Sequence, residues 1–410
     1  MNSIEIINQL QHDSAGCSYN SLVAINSSTY ILAYTNSDGH GHIKTFSLDA
    51  GFNITEIDDH IYYDQGFCRN TTLVKMDSDD YYAVIFEDDT KGDLWVYVFE
   101  LDGNYNISTK SYLWLPYTST LNPLSHPTIV YTGDDVLVYA YSEYISSTES
   151  KEYIGTIEFD VDYNLTDDQL VEYYPLATDT IFFYSKLTKI GVGDVLLTVG
   201  TKRNYFATRV HFVTYSTSLG SIIEQTGTTY TSDYLSPFPI DVLKVTSGGG
   251  NEYYLISHGH QIKTFTINAS SLAISSISQT VSFRDNAPQT SFPHRTSMTQ
   301  LSEFNILISY PFNTAPDEGD GVIKSFTASA TYELTDDDIT LHFIDYGLDF
   351  SLLKIGANTT YAIVSHTGLT GQKGYITTVG AESLKINING IWRAVDSVQI
   401  NITGSWIDVT

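Results

Sequence analysis

Residues 48–55 read Leu48-Asp49-Ala50-Gly51-Phe52-Asn53-Ile54-Thr55, and residues 101–108 read Leu101-Asp102-Gly103-Asn104-Tyr105-Asn106-Ile107-Ser108. Asp, Gly and Asn tolerate the left-handed backbone of a tight reversal, so each stretch reads as the link of a β-hairpin. A one-residue-shorter form recurs at Val161, Asp162, Tyr163, Asn164, Leu165 and Thr166. A turn that returns almost letter for letter implies that the strands around it return as well.

Seven times along the chain a short apolar strand is followed by a Tyr-rich or Val/Ile/Leu-rich strand, then a loop, then a third strand usually closing on Phe or Tyr. Anchored on Leu22, Leu73, Ile129, Leu187, Leu243, Met298 and Leu353, the copies are spaced by 51, 56, 58, 56, 55 and 55 residues. The strands are rich in β-branched and aromatic residues, and no copy shows an apolar stripe at helical spacing. A unit of four short strands cannot bury both faces of its sheet alone, so copies must stack around an axis. The expected fold is all-β: a seven-bladed β-propeller over residues 1–385, followed by a small hairpin tail over 386–410. Residues 4–10 precede the first anchor and read as a lone strand able to complete the last blade.

Links from first to second strand and from third to fourth are short; the other two sets are long and unlike one another. In an up-and-down blade the two long sets share one side of the disc. That side is expected to be the variable, functional face.

Composition narrows the partners. The chain has 410 residues, 42% of them hydrophobic, with 31 Tyr and 19 Phe, enough to pack blade against blade. A formal charge of −28 with only 20 Lys plus Arg disfavours nucleic acid and anionic membrane. No charged-then-apolar leader and no apolar run of about 18 residues is present, so neither export nor membrane insertion is expected. Cys17 and Cys68 each lie five residues before an anchor and are read as free buried thiols, a disulfide between adjacent blades being the alternative. Eight Asn-x-Ser/Thr sequons, several in the repeated turn, are explained by turn chemistry without sugar.

Beyond Leu384 a shorter repeat begins. Ile386-Asn387-Ile388-Asn389-Gly390-Ile391-Trp392 is echoed 14 residues later by Ile400-Asn401-Ile402-Thr403-Gly404-Ser405-Trp406, each copy a small hairpin. This tandem Asn-Gly-x-Trp pattern resembles short β repeats in structural proteins of tailed bacteriophages and related viruses. The resemblance implies a virion component, assembled in the host cytoplasm and then extracellular, whose tail docks onto other virion proteins in an oligomeric assembly. The alternative is that the tail only caps the disc.

Chemistry is sparse. The repeated Ser-x-Asp-x-Gly-x-x-Trp turn of sialidase-type propellers and the Gly-x-Ser-x-Gly elbow are both absent. No cofactor is expected; calcium is the one candidate, in the acidic loops of Asp88, Asp89 and Asp93 or of Asp317, Glu318 and Asp320, neither of which has the spacing of a recognised calcium loop. The His-x-His pairs at His40/His42 and His258/His260 would need a third ligand to hold a metal.

The starts of the first strands line the channel mouth on the variable face, where they supply Arg69, His126, Tyr184, His294 and Arg295. Cations beside Tyr suit a carboxylate or a sugar; alternatively, they neutralise Asp64, Asp285 and Asp349. The favoured expectation is a non-enzymatic virion surface protein (tail fibre, baseplate or capsid decoration) binding a host-surface glycan or protein through this face. The alternatives are a polysaccharide hydrolase or lyase using Asp64, Asp285, Asp349, His126 and His294, and a purely architectural virion subunit.

Overall fold

The structure, a computed structural model, describes residues 3–76, 80–115, 126–146, 149–173, 180–203, 207–218, 220–232, 240–246, 252–258, 261–275, 279–282, 296–302, 305–312, 320–329, 333–343, 348–357, 361–367, 373–382, 385–388, 391–394, 398–402 and 405–409. Among these every regular element is a strand. No helix there is long and apolar enough to cross a membrane.

Twenty-eight strands form seven antiparallel four-stranded sheets, the blades. Their innermost strands are Cys17–Ala24, Cys68–Lys75, Thr128–Gly133, Thr180–Lys189, Asp241–Thr246, Ser297–Gln300 and Leu348–Lys354, defining blades 1 to 7, and each carries one anchor of the repeat. In blades 1 to 6 the strands pair in chain order from inside to outside. In blade 7 the outermost strand is Ser3–Asp13, paired with Gly374–Glu382, so the chain's first strand closes the ring. Each inner strand touches the inner strand of the blade on either side, which makes the ring continuous.

The core is divided as a ring demands. Each of the seven blade junctions holds one apolar cluster. Between blades 1 and 2, Ile31, Ile43 and Tyr62 meet Leu73, Phe86 and Phe99; between blades 7 and 1, Ile363 and Ile376 meet Leu22, Tyr34 and Phe46. A second strand such as Thr29–Asn36 is buried on both faces, which is why it reads as a continuous apolar run. Outer strands such as Leu165–Tyr173 are largely exposed and accordingly polar.

Polar atoms join the same junctions near the axis. The backbone N–H of Leu22 donates to Ser351 Oγ at 3.0 Å, that of Leu73 to Ser21 Oγ at 2.9 Å, that of Leu187 to Thr128 Oγ1 at 3.3 Å, that of Met298 to Asp241 Oδ2 at 2.8 Å and that of Leu352 to Ser297 Oγ at 3.0 Å. At the other two junctions Thr72 Oγ1 donates to Pro127 O at 3.0 Å, and Lys186 Nζ lies 3.1 Å from Asp241 Oδ1. A bond of this kind therefore crosses every junction, from a residue one or two places before an anchor.

The repeated turn is a second clasp. Phe52, Tyr105 and Tyr163 adopt φ of 62°, 66° and 60°, and Leu272 of blade 5 adopts 52°. Each offers its carbonyl to a hydroxyl of the preceding blade: Thr378 to Phe52 at 3.3 Å, Thr45 to Tyr105 at 2.9 Å, Ser111 to Tyr163 at 2.5 Å and Thr214 to Leu272 at 3.0 Å. The Asp carboxylate holds the turn by accepting the Asn backbone N–H, from Asn53 to Asp49 and from Asn106 to Asp102. In blade 3 the equivalent carboxylate is Asp160, which accepts Asn164 N–H at 3.0 Å, and not Asp162. The third copy is thus full length, counted from Phe159, and the shorter alignment on Val161 and Asp162 is corrected.

In the tail, Lys385–Ile388 pairs with Ile391–Ala394, and Val398–Ile402 pairs with Ser405–Val409. The Asn389-Gly390 and Thr403-Gly404 turns lie outside the described residues.

Candidate binding face

First strands start, and fourth strands end, on the variable face. In blades 1 and 2 the inner strand carries a bulge there, between Ser18 and Ser21 and between Arg69 and Thr72, with Tyr19 at φ 57° and Asn70 at φ 54°. Such a bulge re-aims the side chains beside it. Arg69 Nη2 lies 2.9 Å from Asp89 Oδ2, and its guanidinium sits 5.3 Å from the centre of the Phe67 ring. The partner of Arg69 is thus Asp89 of its own blade, and not Asp64.

His126 and Tyr184, each three residues ahead of its anchor, meet across the junction of blades 3 and 4 with ring centres 4.1 Å apart and planes at 30°. Three of the five residues expected at the mouth are thereby located: Arg69 against Asp89 within blade 2, and His126 with Tyr184 between blades 3 and 4. His294 and Arg295 lie outside the described residues, as do Asp285, His260, Asp317 and Glu318 and the side chains of Asp349, His258 and Asp320. In the first acidic loop Asp89 is held by Arg69, while Asp88 is buried, accepts a short hydrogen bond from Tyr63 Oη and lies 3.7 Å from Lys91 Nζ. Among the described residues no group of three or more His, Cys, Asp or Glu side chains is placed to hold a metal ion.

At the same junction of blades 3 and 4 lies a group that sequence reading missed. Glu152, at the variable-face end of the third strand of blade 3, is fully buried, and both its oxygens are engaged at 2.5 Å, by Ser142 Oγ of its own blade and by Ser185 Oγ of blade 4. Burial pushes the Glu152 carboxyl up to about 7, against the opposing pull of the two hydroxyls. A lone Glu at a strand start looks solvent-facing in sequence; only the blade junction buries it.

A second missed group seals blade 7 to blade 1. His12, buried, packs edge-on against Tyr34 with ring centres 4.9 Å apart and places Nε2 3.9 Å from Cys17 Sγ, while Cys17 donates to Asn20 Oδ1 at 2.8 Å. Lys44 Nζ donates to the His12 carbonyl at 2.9 Å and pairs with Glu56 at 3.1 Å and Asp59 at 3.0 Å. His42 lies 3.1 Å from both Asn36 Nδ2 and Asp59 Oδ1, so Nε2 accepts and Nδ1 donates. Burial first, then the Lys44 charge, lowers His12 to about 3, so it stays neutral. The next junction repeats the plan with Tyr62, whose hydroxyl lies 3.5 Å from Cys68 Sγ. Both cysteines are buried thiols outside any disulfide.

No protein-family model and no curated protein sequence matches the chain. Solved structures do. An α-L-arabinanase of Penicillium chrysogenum, solved with arabinobiose, is 10% identical with a TM-score of 0.51, covering 92% of this chain and 98% of its own. A protein of unknown function from Dyadobacter fermentans is 11% identical with a TM-score of 0.48, over 93% of this chain and 100% of its own. The Aleuria aurantia lectin, solved with a methyl fucoside, is 9% identical with a TM-score of 0.47, over 85% of this chain and 98% of its own. At such identities the likeness speaks for the fold alone.

Proposed function

We propose that this propeller is a non-enzymatic surface protein of a virion that binds a host-surface glycan or protein through its variable face. The observation that carries the reading is a pair of contacts among residues expected at the channel mouth: the His126 ring on Tyr184 at 4.1 Å and the Arg69 guanidinium over Phe67 at 5.3 Å. Rigid aromatic faces ringed by hydrogen-bonding groups give contact area at low entropic cost. The tandem hairpins of the tail, paired as Lys385–Ile388 with Ile391–Ala394 and Val398–Ile402 with Ser405–Val409, support attachment to other virion proteins with that face outward.

Glu152 favours a second reading, a polysaccharide hydrolase or lyase, because a carboxyl raised to about 7 is suited to proton transfer at neutral pH. Its full burial and its two serine partners weigh against that role, since no substrate atom reaches it without displacing them. A glycan array probed with the whole chain, its Tyr184→Ala variant and a product assay tests both readings. Binding without product, weakened by Tyr184→Ala, is expected; release of shorter saccharides that stops in Glu152→Gln would refute the non-enzymatic reading. Labelling of purified particles tests the virion assignment.

A further inference from the structure

The third and fourth strands of blade 2, Asp93–Leu101 and Ile107–Leu115, pair Trp95 with Trp114 and Tyr97 with Tyr112. Cross-strand partners share a face, so four aromatic side chains make two rungs on one side of the sheet, about 7 Å apart along the strand. Tyr97 and Tyr112 stack with centres 5.4 Å apart and planes at 23°, and Trp95 lies 6.0 Å from Tyr112. The inner half of the ladder joins the core between blades 1 and 2, where Trp95 is 6.1 Å from Tyr63. The outer half does not: Tyr112 is 62% exposed and Trp114 50%.

Blade construction does not require these residues. At the equivalent positions blade 1 has His42 opposite Ile61 and Lys44 opposite Asp59, and blade 3 has Tyr153 opposite Glu172 and Gly155 opposite Leu170. Both blades close with those sets. The Trp95 indole N–H, moreover, is buried with no hydrogen-bond partner, a cost that a Phe would avoid. Both lysines beside the ladder are engaged in a chain of charge −28, Lys91 by Asp88 at 3.7 Å and Lys110 by Glu100 at 3.7 Å. Burial, then the neighbouring Tyr112 phenol and Asp64 carboxylate, pushes the Tyr97 phenol up to about 12, so it keeps its proton as a donor.

We propose that this ladder, on the variable-face rim between blades 1 and 2, binds an uncharged oligosaccharide of at least two linked pyranose rings. The C–H faces of the sugar rings lie on Tyr112 and Trp114, whose negative ring faces attract those hydrogens. Sugar hydroxyls bond to the Tyr97 hydroxyl and to the exposed Asp64 carboxylate. An acidic saccharide would meet the Asp64 carboxylate, with Lys91 and Lys110 already paired to other carboxylates. The inference rests on the glycan-binding reading for its ligand class, and it adds a place separate from the channel mouth.

The test titrates the whole chain with maltotetraose, cellotetraose, laminaritetraose and chitotetraose, with trigalacturonic acid as the charged probe, read by tryptophan fluorescence and calorimetry. At least one neutral probe should bind. Tyr112→Ala and Trp114→Ala, both at exposed positions, should each weaken it about ten-fold, with Trp114→Phe recovering most of the loss. The proposal is overturned if no neutral probe binds, if the variants bind as the parent does, or if trigalacturonic acid binds and loses affinity in the same variants. Binding that survives the ladder variants but is lost in Tyr184→Ala sinks the ladder while leaving the channel-mouth reading in place. Failure of every array glycan sinks the ladder and the glycan form of the channel-mouth reading, leaving only a protein ligand there.

Discussion

The Asp241 carboxylate accepts the Met298 backbone N–H at 2.8 Å through one oxygen and faces Lys186 Nζ at 3.1 Å through the other. A single side chain thereby closes two adjacent junctions, those of blades 4 with 5 and 5 with 6. The remaining junctions each have their own inner bond, such as that of Ser21 to Leu73. Losing a hydroxyl acceptor strands one N–H, whereas losing Asp241 strands both an N–H and the partly exposed ammonium of Lys186. Ser21→Ala should therefore cost about 1 kcal/mol, and Asp241→Ala roughly 2–3 kcal/mol after allowance for the partial exposure of Lys186. Urea unfolding at constant m-value measures both, and equal losses would contradict the shared-acceptor account.

Glu152 should make stability fall as pH rises. Its ordinary value is 4.5, and the folded chain raises it to about 7. Below about 4.5 folded and unfolded chains both hold the proton; between about 4.5 and 7 only the folded chain does, so stability drains across that window and is level above it. The loss attributable to this group is on the order of 3 kcal/mol. Glu152→Gln, neutral at all pH, should be more stable than the parent at pH 8 and no more stable at pH 4. A parallel pH dependence in the two proteins would show that the carboxyl ionises in the fold as freely as in water.

How much of this was legible in sequence depended on whether one strand's own residues carried the signal. The anchors from Leu22 to Leu353 were visible because every inner strand puts an apolar residue into a junction. The turns at Asp49 and Asp102 were visible because carboxylate and amide must stand four apart to close them. Asp160 was misassigned because Asp162 lies within the same turn and only the bond to Asn164 separates them. His126 and Tyr184 could be placed together since both stand three residues before an anchor, whereas the Asp89 partner of Arg69 comes from a loop whose path no spacing reveals. Glu152 and His12 were invisible for a common reason: blade meeting blade buries them, and sequence shows each blade singly.

Two glycines mark where a fourth-strand ring crosses a third strand. A Cβ on Gly41 would lie 2.4 Å from Tyr62 Cε2, and one on Gly374 would lie 2.5 Å from His12 Cε1 and 2.7 Å from Cys17 Cβ. Neither glycine has positive φ, so the demand is for space alone. Gly41→Ala and Gly374→Ala should each destabilise by roughly 1–3 kcal/mol. Gly103, with nothing within 4 Å of its notional Cβ, is the matched control and should move by less than about 0.5 kcal/mol on the same substitution. Thermal unfolding of the three variants reads the difference directly.

The closing seam should be acid-sensitive through His12, in the opposite sense to Glu152. His12 ordinarily titrates at 6.5, and burial beside Lys44 lowers it to about 3. Above about 6.5 neither folded nor unfolded chain protonates it; between about 6.5 and 3 only the unfolded chain does, so stability is lost as pH falls through that window. His12 belongs to the strand that completes blade 7, and its carbonyl accepts Lys44 Nζ, so the loss acts on the bond between the first and last parts of the chain. His12→Phe keeps an aromatic ring against Tyr34 and removes the titration, and should flatten the acid limb between pH 6.5 and 4 relative to the parent. Hydrogen exchange across Ser3–Asp13 provides the local readout. Exchange there should quicken on acidification in the parent before it does in the inner strands of blades 2 to 4, and the variant should not show that early opening.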